Sequence, residues 1–103
     1  MNYPFRSAIL AFLRGGDARV CADAILRICE NYPAPALHTL MNFVSTHDTE
    51  RAITALAGES CEGKDRYWQS GRRLSAEQYE HGRRLVCLAY AMLFTLPGIP
   101  SIY

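Results

Sequence analysis

The sequence has almost no excess charge of either sign, and it lacks the long apolar run that a membrane helix needs. Eleven lysines and arginines stand against ten aspartates and glutamates, which leaves a formal net charge of +1. Such a balanced chain offers no strong field for nucleic acid or for an anionic membrane. The longest apolar run, Leu85 to Leu96 with Thr95 interrupting it, reaches about 18 Å as a helix, against a bilayer core of about 30 Å. We therefore predict a buried helix there, and neither nucleic acid nor membrane as a partner.

The chain is also too short for a large catalytic domain. Its 103 residues suit one small domain, whereas a closed (β/α)8 barrel requires at least about 200 residues. Half of the residues are hydrophobic and a fifth are charged, a composition that argues against intrinsic disorder. A complete barrel is excluded, and a folded unit with a modest core is expected.

No pair of cysteines has the CxxC spacing of a zinc ribbon or of a thioredoxin-like motif. The four cysteines are instead expected to be buried free thiols in a reducing, cytoplasmic environment. The first six residues carry no basic start before an apolar core, so we expect no secretory signal. His38 and His81 have no partner at a metal-ligand spacing, and we predict neither a metal nor a cofactor.

Helical periodicity and capping residues predict four helices. They cover residues 6–13, 18–30, 50–57 and 76–95. Asp17 is expected to cap the second helix, and Asp48 or Thr49 the third. Ser75 and Gln78 form a capping box for the last helix. The second half of that helix is apolar on all sides, so we expect it to be buried.

Two apolar segments favour strands. Residues 40–44 lack clean alternation, as in a strand covered on both faces, although a buried helix start is an alternative. Residues 99–103 are also strand-like, and residues 59–74 are predicted to form a polar loop. The order of helix, strand, helix, loop, long helix and strand is typical of βα units with parallel strands. We predict an α/β fold that is mostly helical, with few short strands.

The adjacent His47 and Asp48 are the strongest candidates for a functional site. They follow the apolar strand segment and precede a helix, at the edge of a parallel sheet where ligand-binding and catalytic groups collect. A histidine beside an aspartate can perform acid–base chemistry, bind a sugar hydroxyl or ligate a metal. The structural alternative is a helix-capping aspartate with a polar neighbour.

Arginine pairs and aromatic residues give weaker signals. The pairs at residues 72–73 and 83–84 are interleaved with acidic residues, so we expect solvated surface rather than a nucleic-acid site. Tyr67 and Trp68 can stack on a sugar or a base, with packing of the loop as the alternative. Tyr3 and Phe5 are expected in the core.

The residues around His47 and Asp48 resemble a known motif. Asn42–Arg51 (NFVSTHDTER) is similar to the strand-7 motif of the α-amylase family of glycoside hydrolases, especially its neopullulanase, cyclomaltodextrinase and maltogenic amylase group. Met1–Arg6 resembles that group's strand-6 segment, residues 30–33 the approach to strand 7, and residues 96–103 the passage from helix 7 to strand 8. The resemblance implies that residues 1–103 are a partial catalytic domain, a fragment of a (β/α)8 TIM barrel cut at both ends.

The resemblance also implies a function. Members of the family are retaining hydrolases of α-glucans and maltooligosaccharides, with one carboxylate as nucleophile and another as general acid. Asp48 matches a third carboxylate that stabilises the transition state, and His47 matches a histidine that contacts the same sugar. The nucleophile and the acid of the family precede the region matched by Met1, so the fragment is expected to be inactive alone.

The alternative function is a small helical protein-interaction module derived from such an enzyme. In either case, apolar surface and strand edges shaped to pack against other barrel parts are left uncovered in this chain. Uncovered surfaces of this kind promote association. We therefore expect the isolated chain to self-associate.

Overall fold

Six helices and two very short strands make up the structure, a computed structural model that describes residues 1–103. In chain order the elements are α1 (Tyr3–Leu13), α2 (Ala18–Asn31), α3 (Ala34–Thr39), β1 (Met41–Asn42), α4 (Ala52–Ala57), α5 (Arg66–Gly71), α6 (Ala76–Thr95) and β2 (Ile99–Pro100). The expectation of a mostly helical chain with few short strands is confirmed. No helix combines the length and the apolar character that crossing a membrane requires.

The predicted caps of α2 and α6 are confirmed. The carboxylate of Asp17 accepts a hydrogen bond of 2.7 Å from the amide of Arg19. At the start of α6, the backbone amide of Gln78 donates to Ser75 Oγ at 3.1 Å, and the backbone amide of Ser75 donates to Gln78 Oε1 at 2.9 Å. These reciprocal bonds satisfy amides that have no partner within the helix, so they fix where α6 begins.

Three helices depart from the prediction. The first helix begins at Tyr3 rather than at residue 6, because Asn2 caps it and Pro4 is tolerated in the first turn. The prediction missed α3 entirely. It also placed α5 in a loop, although Asp65 accepts a hydrogen bond of 2.8 Å from the Trp68 amide and starts a helix there. Helices of six residues carry too little periodicity to be separated from loops.

The two strands form a parallel pair. Met41 aligns with Ile99, and Asn42 with Pro100. The amide of Ile99 donates to the Leu40 carbonyl at 2.7 Å, and the amide of Ser101 donates to the Asn42 carbonyl at 2.8 Å. The prediction of parallel strands is confirmed, although the strands are much shorter than predicted. The alternative of a buried helix start at residues 40–44 is wrong.

The core lies where α1, α4 and α6 meet, with Ile28 contributed by α2. Its buried members are Phe5, Ile9, Leu10, Ile28, Val44, Ala52, Ala55, Leu56, Ala89 and Leu93. A Cβ atom on Gly82 of α6 would lie 2.8 Å from Ile53 Cγ1 and 2.9 Å from Ala57 Cβ, both on α4. The two helices therefore pack closely only because position 82 has no side chain. Phe5 is buried as predicted, whereas Tyr3 is exposed.

The second half of α6 is buried on one face only. Ala89 and Leu93 are inaccessible to solvent, whereas Leu88 is 54% exposed and Phe94 is 59% exposed. The expectation that this half is buried on all sides is wrong within these 103 residues. Cys87 on the same outer face is also exposed, so the four free cysteines are not all buried, contrary to the prediction.

The first half of α6 carries the exposed arginine pair. The side chains of Arg83 and Arg84 both bind the carboxylate of Glu80, at 2.9 Å and 3.3 Å. The hydrogen bond from Arg83 is the main cause that lowers the pKa of Glu80 to about 2. The prediction that residues 83–84 lie on solvated surface is confirmed.

A buried amide joins three distant segments of the chain. Asn42 Oδ1 accepts a hydrogen bond of 2.8 Å from Asn2 Nδ2, and Asn42 Nδ2 donates to the Pro97 carbonyl at 2.8 Å. Asn42 is fully buried and Asn2 is 5% exposed. The neighbouring Gly98 has φ +126°, and a Cβ atom there would lie 2.9 Å from Asn42 Cγ. The amide therefore fits only beside a glycine.

We predict that Asn42→Ala lowers the free energy of unfolding by about 3 kcal/mol, because it leaves the buried Asn2 side-chain amide without its acceptor and removes the hydrogen bond to the Pro97 carbonyl. Urea denaturation monitored by circular dichroism measures the change. Asn31→Ala, at the exposed end of α2, is the matched control and is expected to cost less than about 0.5 kcal/mol. Equal losses in the two variants would contradict this role of Asn42.

Candidate functional site

His47 and Asp48 lie at the tip of a tight turn beyond the carboxyl end of β1. Thr46 is buried, and its amide donates to Thr49 Oγ1 at 3.0 Å. Its hydroxyl in turn accepts a hydrogen bond of 3.3 Å from the Asp48 amide. The carbonyl of Val44, just before the turn, accepts a bond of 3.1 Å from Arg6 Nε on α1. The two threonines and Arg6 therefore hold the turn while its two tip side chains stay free.

The side chains of His47 and Asp48 face solvent together. His47 Nε2 lies 3.3 Å from Asp48 Oδ2, and the two side chains are 71% and 69% exposed. The helix α4 begins only at Ala52, with Arg51 at its cap position and no side-chain cap. The expectation that Asp48 or Thr49 caps this helix is therefore wrong. The Asp48 carboxylate remains free to accept hydrogen bonds from a ligand such as a sugar hydroxyl.

A cleft lined by tyrosines opens on one side of this turn. Its volume is about 670 Å³, and its walls include His47 together with Tyr79, Tyr90 and Tyr103. The rings of His47 and Tyr103 lie 6.0 Å apart between centroids. Aromatic rings with polar ends are suited to a ligand that has both apolar faces and hydroxyl groups, as a sugar has. We call this space the tyrosine cleft.

These tyrosines are not among the residues predicted for the site, although the sequence carries a signal for two of them. Tyr79, Arg83, Val86 and Tyr90 all line the cleft, and their spacing of four, three and four residues places them on one face of α6. The prediction treated this stretch only as the polar start and apolar continuation of a buried helix. Tyr103 carried no signal of its own, because the position of its ring depends on the distant pairing of β2 with β1.

A second hollow, lined by polar residues, borders the same turn and shares His47, Thr49 and Arg51 with the tyrosine cleft. Its volume is about 560 Å³, and no hydrophobic residue lines it. His47, Asp48 and Thr49 form one wall, and arginines from the start of α4 and from both ends of α5 form the others. We call this space the arginine basin and define it by Arg51, Arg66, Arg72 and Arg73.

Arg72 is not solvated surface as predicted but a half-buried structural residue. Its guanidinium binds the Glu50 carboxylate at 2.7 Å, with 11% and 19% of the two side chains exposed. It also donates to the Glu59 carbonyl and lies 5.2 Å from the centre of the Trp68 ring. Arg72 therefore ties α5 and the preceding loop to the start of α4. The neighbouring Arg73 is exposed, as predicted.

The two aromatic residues of α5 differ in their exposure to solvent. Trp68 is half-buried, and besides Arg72 it meets Lys64 Nζ at 5.4 Å from the ring centre. Tyr67 is 88% exposed. Packing therefore explains Trp68, while Tyr67 remains free to stack on a ligand. Nearby, burial and a hydrogen bond to Glu50 raise the pKa of Cys61.

By fold and site, the chain is a mostly helical unit that presents an exposed histidine–aspartate pair beyond two parallel strands, between an aromatic cleft and a polar basin. No three His, Cys, Asp or Glu side chains lie close enough together to hold a metal ion. The exposed side chains of this surface offer hydrogen-bond donors and acceptors to a polar ligand.

Comparison with known proteins points to carbohydrate-active enzymes. The whole chain aligns with the amylopullulanase of Thermoanaerobacter thermohydrosulfuricus at 28% identity over 115 residues. It also aligns along its whole length with a cyclomaltodextrinase of a Bacillus species at 28% identity over 105 residues. Over 57% of the chain, the cyclomaltodextrinase of Geobacillus thermopakistaniensis is 33% identical across 61 residues. No protein-family model and no solved structure matches the chain.

The chain spans only a small part of each of these relatives: 7% of the amylopullulanase, and 15% and 10% of the two cyclomaltodextrinases. These similarities confirm the coarse part of the resemblance, a relation to enzymes that hydrolyse α-glucans. They do not place the chain at particular strands of a barrel.

We predict that Arg72→Gln loosens α5 without unfolding the rest of the chain, because its partly buried partner Glu50 loses its counter-charge. Amide hydrogen exchange within α5 is expected to accelerate about tenfold. Trp68 is the only tryptophan, so acrylamide quenching of its fluorescence gives a second readout and is expected to increase. Arg66→Gln removes an exposed arginine of α5 and is expected to change neither measurement. Unchanged exchange in Arg72→Gln would refute the anchoring role.

Proposed function

We propose that this chain forms part of the substrate site of an α-glucan hydrolase of the amylopullulanase or cyclomaltodextrinase kind, within a partial (β/α)8 barrel domain. The observation that carries the proposal is that an exposed His47–Asp48 pair follows a parallel strand in a chain similar to such enzymes along its whole length. Ligand-binding groups collect at this edge of parallel sheets.

In this proposal Asp48 stabilises the transition state and His47 contacts the same sugar ring. A carboxylate accepts hydrogen bonds from two sugar hydroxyls, and the bond to the 2-hydroxyl strengthens as positive charge grows on the ring. The free Asp48 carboxylate and the exposed imidazole beside it suit these roles. The tyrosine cleft next to His47 offers apolar faces for neighbouring sugar rings.

The 103 residues alone are proposed to bind sugar without hydrolysing it. Retaining hydrolysis requires a nucleophile and a general acid about 5.5 Å apart, and the Asp48 carboxylate faces His47 rather than a second carboxylate. A reducing, cytoplasmic setting is part of the same proposal, and the four free thiols are compatible with it.

We predict that maltooligosaccharides perturb the NMR signals of residues 45–49 and that Asp48→Asn weakens this binding about fivefold, since a charged acceptor forms stronger hydrogen bonds than an amide. Asp23→Asn, on the exposed face of α2, is the matched control and is expected to bind normally. Incubation with maltodextrin, cyclodextrin and pullulan is expected to release no product. Turnover by the purified chain would refute inactivity, and absence of sugar binding would refute the substrate site.

The second candidate function is a helical protein-interaction module, which the uncovered outer face of α6 favours. Leu88 and Phe94 are both more than half exposed on that face, and exposed apolar patches mark interaction surfaces. A partner-capture experiment run beside the sugar titration separates the two functions, because a specific protein partner without sugar binding would favour the module.

We predict that the chain self-associates through the outer face of α6, which gives it a second copy of itself as a partner. Light scattering at increasing concentration is expected to show species larger than a monomer, and the double change Leu88→Lys with Phe94→Lys is expected to reduce them. Val20→Lys places a charge on an apolar residue of α2 that is 68% exposed and serves as the control. A monomer at high concentration would overturn this prediction.

A further inference from the structure

Positive charge is concentrated in the arginine basin beyond anything the overall composition suggests. Four arginines line it, against the two carboxylates of Asp48 and Glu50, so its walls carry an excess of two positive charges. The whole chain carries a net charge of only +1. The basin is therefore a local anion-attracting surface on an otherwise balanced protein.

Three of the four arginines have no carboxylate partner. Glu50 is paired with Arg72, and Asp48 lies against His47. The ion pairs of the chain include none made by Arg51, Arg66 or Arg73. Arg73 Nη1 donates to the carbonyls of Ser70 and Arg72 at 3.2 Å and 2.8 Å, which leaves its other N–H groups unpaired. Since guanidinium groups bind oxyanions through several directed hydrogen bonds, these N–H groups and the side chains of Arg51 and Arg66 are available for an anionic ligand.

The three arginines come from separate positions that the fold brings to one hollow. Arg51 precedes α4, Arg66 begins α5, and Arg73 follows α5. The Arg72–Glu50 pair fixes α5 against α4, so the walls of the basin are held together by a contact that does not use the guanidinium groups of Arg51, Arg66 and Arg73. Gln69 and Ser70 add amide and hydroxyl groups to the same lining.

We propose that the arginine basin binds a phosphate group, either as free phosphate or as the ester of a phosphorylated sugar. A tetrahedral dianion presents oxygens in several directions, which suits guanidinium groups contributed by three separate positions of the chain, and it matches the excess of two positive charges on the walls. The absence of any hydrophobic lining residue favours a polar ligand over an apolar one. This site shares His47, Asp48 and Thr49 with the proposed glucan site, but the arginines that would hold the phosphate have no role in the proposed function, so the phosphate proposal does not rest on it.

The test is a titration of the 103-residue chain with sodium phosphate, glucose 6-phosphate and glucose, followed by NMR. Sodium chloride keeps the ionic strength constant, because a nonspecific charge effect is screened by salt and a built site is screened less. The amides of residues 51, 66–70 and 73 are expected to shift with both phosphate compounds. Tighter binding of glucose 6-phosphate than of phosphate identifies a sugar ester as the ligand, and equal binding identifies free phosphate.

Single changes then locate the site. Arg66→Gln and Arg51→Gln are each expected to raise the dissociation constant for phosphate about fivefold, as the loss of one charged hydrogen-bond donor predicts. Arg27→Gln removes the same charge from the exposed side of α2 and is expected to leave binding unchanged. The proposal is overturned if phosphate gives no more change than chloride, or if Arg27→Gln weakens binding as much as Arg66→Gln. The maltooligosaccharide titration in phosphate-free buffer tests the glucan site separately.

Discussion

The buried amide of Asn42 is the interaction on which the arrangement of this molecule depends. Each strand of the parallel pair is only two residues long, so few backbone bonds define their register. The Asn42 side chain adds a donor and an acceptor that bind two different segments, and its backbone carbonyl accepts from Ser101. A buried polar group of this kind costs free energy unless every partner is in place. It therefore favours one register, and that register determines where the turn carrying His47 and Asp48 emerges.

Features that depend on neighbouring residues could be predicted from the sequence. The capping box of Ser75 with Gln78 is local, and so is the cap at Asp17, and both were located correctly. The cap predicted at Asp48 or Thr49 is wrong, because the side chains of Thr46 and Thr49 form hydrogen bonds within the turn and the Asp48 carboxylate caps no helix. Arg72 shows that contacts between residues distant in sequence could not be predicted. Its charged neighbours in sequence suggested solvent, but its partner Glu50 is 22 positions away.

The candidate site was predictable in its centre and not in its surroundings. The position of His47 and Asp48 after an apolar segment was enough to locate them at a strand end. The tyrosine cleft and the arginine basin are each assembled from segments that meet only in the folded chain. Helical spacing could have grouped Tyr79 with Tyr90, but only the packing of α4 against α6 through Gly82 brings their face beside residue 47.

The long-range hydrogen bonds of Asn42 also affect the order in which the parts of the chain fold. Its partners Asn2 and Pro97 are 40 and 55 positions away in the sequence, so both contacts must close long loops, whereas α2 and α6 form from local bonds. Loop closure costs entropy before any distant contact is gained, and proteins with many distant contacts fold slowly. The helices are therefore expected to form first and the strand pair last. The turn beyond β1 then acquires its final position only when the chain has fully closed, so the ability to bind a ligand there reports the completion of folding.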